Sequence, residues 1–281
     1  MSALSLGFSP SPNDTHIFHA LVHGQIPDAP RFEPVVRDIE ALNHLALRGE
    51  LDVVKVSFHA FGHVRNQYGL LHSGGAMGWA CGPLLVAREW VDPEELGRGQ
   101  IAIPGRLTSA ALMAQLSDAR IRNLRVLPYH QIMPAVRSGA VAAGVIIHES
   151  RFTFPDYGLH RIVDLGEWWE QTTGCPIPLA VIAVRRDLDP ELLDQVEQAV
   201  SRSVQRAREH RSISREYVRR HAKEMSEEVI EAQIDLYVND YTADYGSAGQ
   251  ASIREMMGRA EAGGLAVPCD MPLFANGKSR S

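Results

Sequence analysis

The chain has 281 residues, 45% hydrophobic and 22% charged, and 28 basic against 34 acidic side chains give a formal net charge of -6. A chain of this length buries roughly 70–75% of its extended surface, so its core needs neither a disulfide nor a metal. No block of basic residues is long enough to suggest a nucleic-acid-binding tail, and there is no run of roughly 18 apolar residues to span a membrane. Cys81, Cys175 and Cys269 match no metal-binding spacing and read as reduced thiols of a cytoplasmic protein. The opening MSALSLGFSPSPNDT has neither the charged start nor the apolar core of a signal peptide.

Leu4–Phe8 is the first predicted strand. The prolines of Ser9-Pro-Ser-Pro12 break it, and Asn13 or Asp14 caps a helix from about Thr15 to His23, stopped by Gly24. A strand over Arg31–Val36, a helix over Ile39–Arg48 ended by Gly49, and an apolar strand over Leu51–Ser57 follow, with a further helix from Phe58 or His59. Gly82–Arg88 is a buried strand, Asp92–Gly97 a polar bridge, and Gln100–Pro104 a strand leading into a helix near Ala110. Leu124–Leu127 and Ala143–His148 are strands separated by a helix over His130–Arg137. Pro178–Arg185 repeats the pattern of Gly82–Arg88, and either run suits a crossing between lobes. The remainder is helical: Pro190–Glu209, Arg215–Ala222, Glu227–Tyr237 and Ala248–Ala262, before a polar tail from Asn276. The basic stretch Arg202–Arg220 reads as a solvated helix face.

The segments LRGELDVVKVS and RSGAVAAGVIIH echo each other. Aligning Gly49 with Gly139 pairs Leu51 with Val141 and Val56 with Ile146, as two related helix–glycine–strand units would. The expectation is two α/β lobes around a cleft: residues 1–91 plus 179–281 as a discontinuous larger lobe, and residues 92–178 as an inserted smaller one.

Strand ends and helix starts supply the candidate chemistry, because ligands of parallel sheets bind at carboxyl ends of strands. His148 ends the apolar run VIIH and is either a proton acceptor near neutral pH or a cap for the next segment. Lys55 and Ser57 share one strand face; burial of an ammonium is costly, so Lys55 either pairs with an acid or reaches the cleft. Thr108, Ser109 and the amide of Ala110 form a helix start that is an ordinary cap or an anchor for a carboxylate or hydroxyl, and Asn13 and Asp14 carry the same two readings. Trp168 and Trp169 suit core packing or aromatic stacking. Phosphate-loop, dinucleotide, GxSxG, HExxH and cysteine–histidine signatures are absent.

Longer motifs identify a family. GFSPSPNDTHIFHALVHG, DVVKVSFHAF, SGGAMG, PGRLTSA, VIIHESRFTFPDYGL and VDLGEWWEQTTGCPIPL run from about Leu4 to Phe274. Together they resemble the 1,4-dihydroxy-6-naphthoate synthases of the futalosine route to menaquinone. The resemblance implies a two-lobed type II periplasmic-binding-protein-like α/β fold with mixed sheets and a central cleft, working in the cytoplasm. It implies a lyase acting on the small molecule cyclic dehypoxanthinylfutalosine and releasing a sugar-derived fragment, without redox cofactor or metal. His148 takes the position of the family's proposed proton acceptor. Lys55, Val56 and Ser57 match its K-x-S substrate segment, and Thr108, Ser109 and Ala110 its contact after PGR. Asn13 and Asp14 fall in its SPxPNDT segment, carried by Ser9–Thr15. Neither nucleic acid nor membrane is expected as a partner, and a homodimer is compatible. The rival readings are a non-catalytic two-lobed protein binding a small anion, and the sister enzyme that makes a chorismate-derived precursor.

Overall fold

The computed structural model describes residues 3–92, 95, 99–222 and 225–276. Most of the predicted Asp92–Gly97 bridge and the tail beyond Asn276 therefore lie outside the described residues. The strands are β1 (Leu4–Phe8), β2 (Phe32–Val36), β3 (Val53–Ser57), β4 (Tyr68–Leu70), β5 (Ala76–Gly78), β6 (Leu84–Ala87), β7 (Ile101–Ile103), β8 (Leu124–Val126), β9 (Ala143–Ile146), β10 (His160–Asp164) and β11 (Ile177–Arg185). The helices up to the return into the first sheet are α1 (Pro12–Val22), α2 (Ile39–Leu47), α3 (Phe58–Val64), α4 (Ser109–Ser117), α5 (Tyr129–Arg137), α6 (Ser150–Thr153) and α7 (Leu165–Thr173). After it come α8 (Pro190–Glu209), α9 (Arg215–His221), α10 (Glu227–Tyr237), α11 (Asp240–Ala243) and α12 (Gly246–Ala262). None of these helices is long and apolar enough to cross a membrane.

Two mixed sheets share one plan. The first runs β2-β1-β3-β11-β4, with β5 also pairing β11; the second runs β10-β6-β9-β7-β8. In each, two parallel neighbours lead to a central strand, β3 or β9, whose other side pairs antiparallel with β11 or β6. The internal echo falls on those two central strands. Gly49 and Gly139, at φ 68° and 77°, end the helices before them in the left-handed conformation that glycine adopts without a Cβ clash.

The expected insert begins at residue 92, but Leu84–Ala87 already pairs with β9 and β10 in the second sheet. The chain thus crosses before residue 84 and returns between Asp164 and Ile177. GPLLVAR and PLAVIAVR are alike as apolar runs, and their patterning does not say which sheet each joins. At the crossings the backbones touch: a Cβ on Gly82 would lie 2.3 Å from Gly166 Cα. Arg151 binds both passages, donating to Ala80 O at 3.0 Å and Asp164 Oδ2 at 3.1 Å. One hydrophobic cluster spans both sheets, from Leu42, Val54 and Phe61 to Ile101, Ile103 and Val145.

Two local expectations change. Helix α1 starts at Pro12, with Ser11 as N-cap, so Asn13 and Asp14 lie inside the first turn; proline suits that place because its missing amide would have no helical acceptor. Strand β9 stops at Ile146, and His148 sits beyond it at φ 55°, so the predicted strand to His148 is two residues too long. A left-handed residue cannot continue a strand. Trp169 is core, donating from Nε1 to Pro176 O at 3.1 Å.

Candidate active site

The starts of α1 and α4 converge with the ends of β3 and β9 on one cavity. Asn13, Asp14, Lys55, Ser57, Thr108, Ser109, Ala110 and His148 all line it. Val56 does not; its side chain is on the opposite strand face, buried in the core cluster.

Lys55 meets both halves of its expectation. It lines the cavity and forms a buried ion pair with Asp14. The Asp14 carboxylate also accepts from Ser9 Oγ (2.7 Å), Ser9 N (3.2 Å) and Asn13 Nδ2 (2.9 Å). These hydrogen bonds offset the cost of taking both charges out of water. Ser57 is held by Asn43, which accepts from its amide at 2.9 Å and donates to its hydroxyl at 3.2 Å.

Thr108 caps α4, accepting from Ala111 N at 3.1 Å and donating to Gly105 O at 2.8 Å. Ser109 joins the two sheets' elements: its hydroxyl accepts from Phe58 N at 2.9 Å and donates to Leu179 O at 2.5 Å. Both hydroxyls are thus engaged within the protein. What α4 offers a ligand is its first amides, those of Ser109 and Ala110, which have no intrahelical acceptor. With the positive end of the helix dipole, they suit a carboxylate. The loop before α4 is secured from the other lobe by Glu40, which accepts from Leu107 N at 3.2 Å and from Asn43 Nδ2 at 3.1 Å.

His148 is half-buried and stands edge-on to Tyr129, with ring centroids 5.6 Å apart. Desolvation holds its pKa below the ordinary imidazole value, and Lys55 pushes the same way against the opposing charges of Glu149 and Asp14. It is therefore neutral at pH 7 and able to accept a proton.

Sequence reasoning missed Ser9, Ser11, Cys81 and Tyr237 as cavity residues. Tyr237 comes from the end of α10, where it reads as one more apolar position of an amphipathic helix. Burial pushes the Cys81 thiol up to about 12, so it lines the wall as an inert group. Among the described residues, no group of three or more His, Cys, Asp or Glu is placed to hold a metal.

Comparison with known proteins follows the same lines. A family model described as menaquinone biosynthesis matches residues 4–262. A 1,4-dihydroxy-6-naphthoate synthase of Thermus thermophilus is 47% identical over 275 residues, covering 98% of this chain and all of the relative. A solved Archaeoglobus fulgidus protein superposes with a TM-score of 0.88 at 32% identity, covering 94% of this chain and 98% of the other. A Candida albicans protein described as having the generic periplasmic binding protein fold superposes at 0.67 with 14% identity, covering 96% and 92%, which bears on the fold alone.

Proposed function

The chain belongs to the menaquinone biosynthesis family, with a 1,4-dihydroxy-6-naphthoate synthase as a full-length relative, and from that premise we propose how its cleft performs the synthase reaction. The substrate is cyclic dehypoxanthinylfutalosine, and the reaction is a carbon–carbon bond cleavage that leaves 1,4-dihydroxy-6-naphthoate. His148 accepts the proton that starts it. The released electron pair drives the carbon–carbon bond to break, and the ring's gain of aromaticity makes the fragmentation favourable.

The observation carrying this reading is a neutral histidine lining the same cavity as the helix-start amides. The amides of Ser109 and Ala110, with α1 beyond them, hold the substrate carboxylate. Ser57 contacts a substrate oxygen. The Lys55–Asp14 pair adds fixed charges that need no reorganisation as charge moves. The enclosing lobes exclude water and align the proton transfer. We place the protein in the cytoplasm, which fractionation tests directly.

Purified protein incubated with cyclic dehypoxanthinylfutalosine should yield 1,4-dihydroxy-6-naphthoate, detected by chromatography and mass. A folded sample that binds this compound and leaves it intact would instead mark a non-catalytic binding protein.

A further inference from the structure

The cavity continues into a second chamber. Ser9, Ser11, Ile39, Ile147 and His148 line both, so the histidine stands in the partition between them. The chambers differ in chemistry. The first is walled by Ala76, Pro83, Leu179 and Ala180, with polar groups gathered at the helix starts. That suits a flat, largely apolar ring bearing one carboxylate. The second is lined by Tyr129, His130, Glu149 and Asp38. Of these, the Tyr129 hydroxyl and Glu149 carboxylate have no hydrogen-bond partner among the described residues. They flank His148 in space and in sequence respectively, one as a donor and one as an acceptor.

We infer that the second chamber is the binding site for the polyhydroxylated part of the substrate, with Tyr129 donating to and Glu149 accepting from its oxygens as specificity-determining residues. This rests on the proposed reaction, since the bond broken must lie beside the base and its two halves must extend away from it. The seam position of His148 meets that demand: the aromatic half stays in the first chamber and the hydroxylated half departs through the second. Burial pushes the Tyr129 phenol up to about 12, so it remains a donor across the working pH range.

The test compares substrate and product. Tyr129→Phe and Glu149→Leu, each of which removes the polar atom, should raise KM for cyclic dehypoxanthinylfutalosine about tenfold or more, the size of a lost hydrogen bond to a polar ligand. Affinity for 1,4-dihydroxy-6-naphthoate, measured by fluorescence titration, should stay within about twofold, because that product occupies the first chamber only. The product titration also reads whether each variant retains a folded cleft. Parallel loss of substrate and product affinity would overturn the inference, as would an unchanged KM. Absence of turnover by the unaltered protein would instead overturn the proposed reaction.

Discussion

His148 occupies a backbone conformation that few side chains adopt, at φ 55°. A left-handed non-glycine residue costs about 1–3 kcal/mol and persists only where its surroundings hold it, so the turn aims the imidazole at the partition instead of continuing β9. Alanine would add backbone strain to the loss of the ring. Asparagine tolerates the left-handed region, and His148→Asn is the cleaner probe. We predict that it keeps substrate affinity and loses about 100- to 10,000-fold in kcat, the usual span for a general base, as read by steady-state kinetics. In the unaltered protein, kcat/KM should fall on acidification with a limb below the ordinary imidazole value of about 6.5, because desolvation disfavours the imidazolium. Glu149→Gln removes a charge that raises this pKa, so the limb should move to still lower pH.

At the scale of elements, the chain's local patterning carried most of the outline. The apolar runs that became β1, β3, β7, β9 and β11 were legible, as was α10 to the residue. The glycine-containing strands β4 and β5 and the half-polar β10 were not, since none of them shows an apolar run of its own. Nor was the side of the cleft on which β6 lies, because partner choice is a tertiary fact. The site was legible where motifs were long: seven of the eight cavity residues named above stand at helix starts or on β3, and the eighth is His148. Tyr129 and Tyr237 escaped because an aromatic residue on an amphipathic helix signals core packing first. The crossing segments supply the test at this scale. Gly82→Ala would set a Cβ against the backbone of Gly166, which no rotamer change relieves. We expect a loss of more than about 2 kcal/mol in chemical denaturation, with weakened substrate affinity as the crossings part.

Across the whole molecule, one dependence on pH follows from a group outside the cavity lining. His16 lies on α1, buried, its Nδ1 2.5 Å from Ser214 Oγ. Desolvation, then the neighbouring Arg211 charge, lowers its pKa from 6.5 to about 4. The unfolded chain therefore binds this proton more tightly than the folded one. Stability is full above pH 6.5 and declines as pH falls toward 4, by up to about 1.4 kcal/mol per pH unit from this residue. Thermal melts across that range should show the decline, and His16→Gln should make it shallower, part of the remainder coming from His19, which burial likewise lowers to about 4.

The pairing of β11 with β3, β4 and β5 has a consequence for synthesis on the ribosome. All five strands of the second sheet lie between Leu84 and Asp164, whereas the first sheet needs a strand that begins at Ile177. A nascent chain that has released Asp164 but not Ile177 holds every strand of the later sheet, while the earlier one still lacks β11, the strand that joins β3 to β4 and β5. Vectorial emergence thus reverses the order of completion, and the amino-terminal third of the polypeptide waits, its β3 edge unpaired, for a segment made long after it.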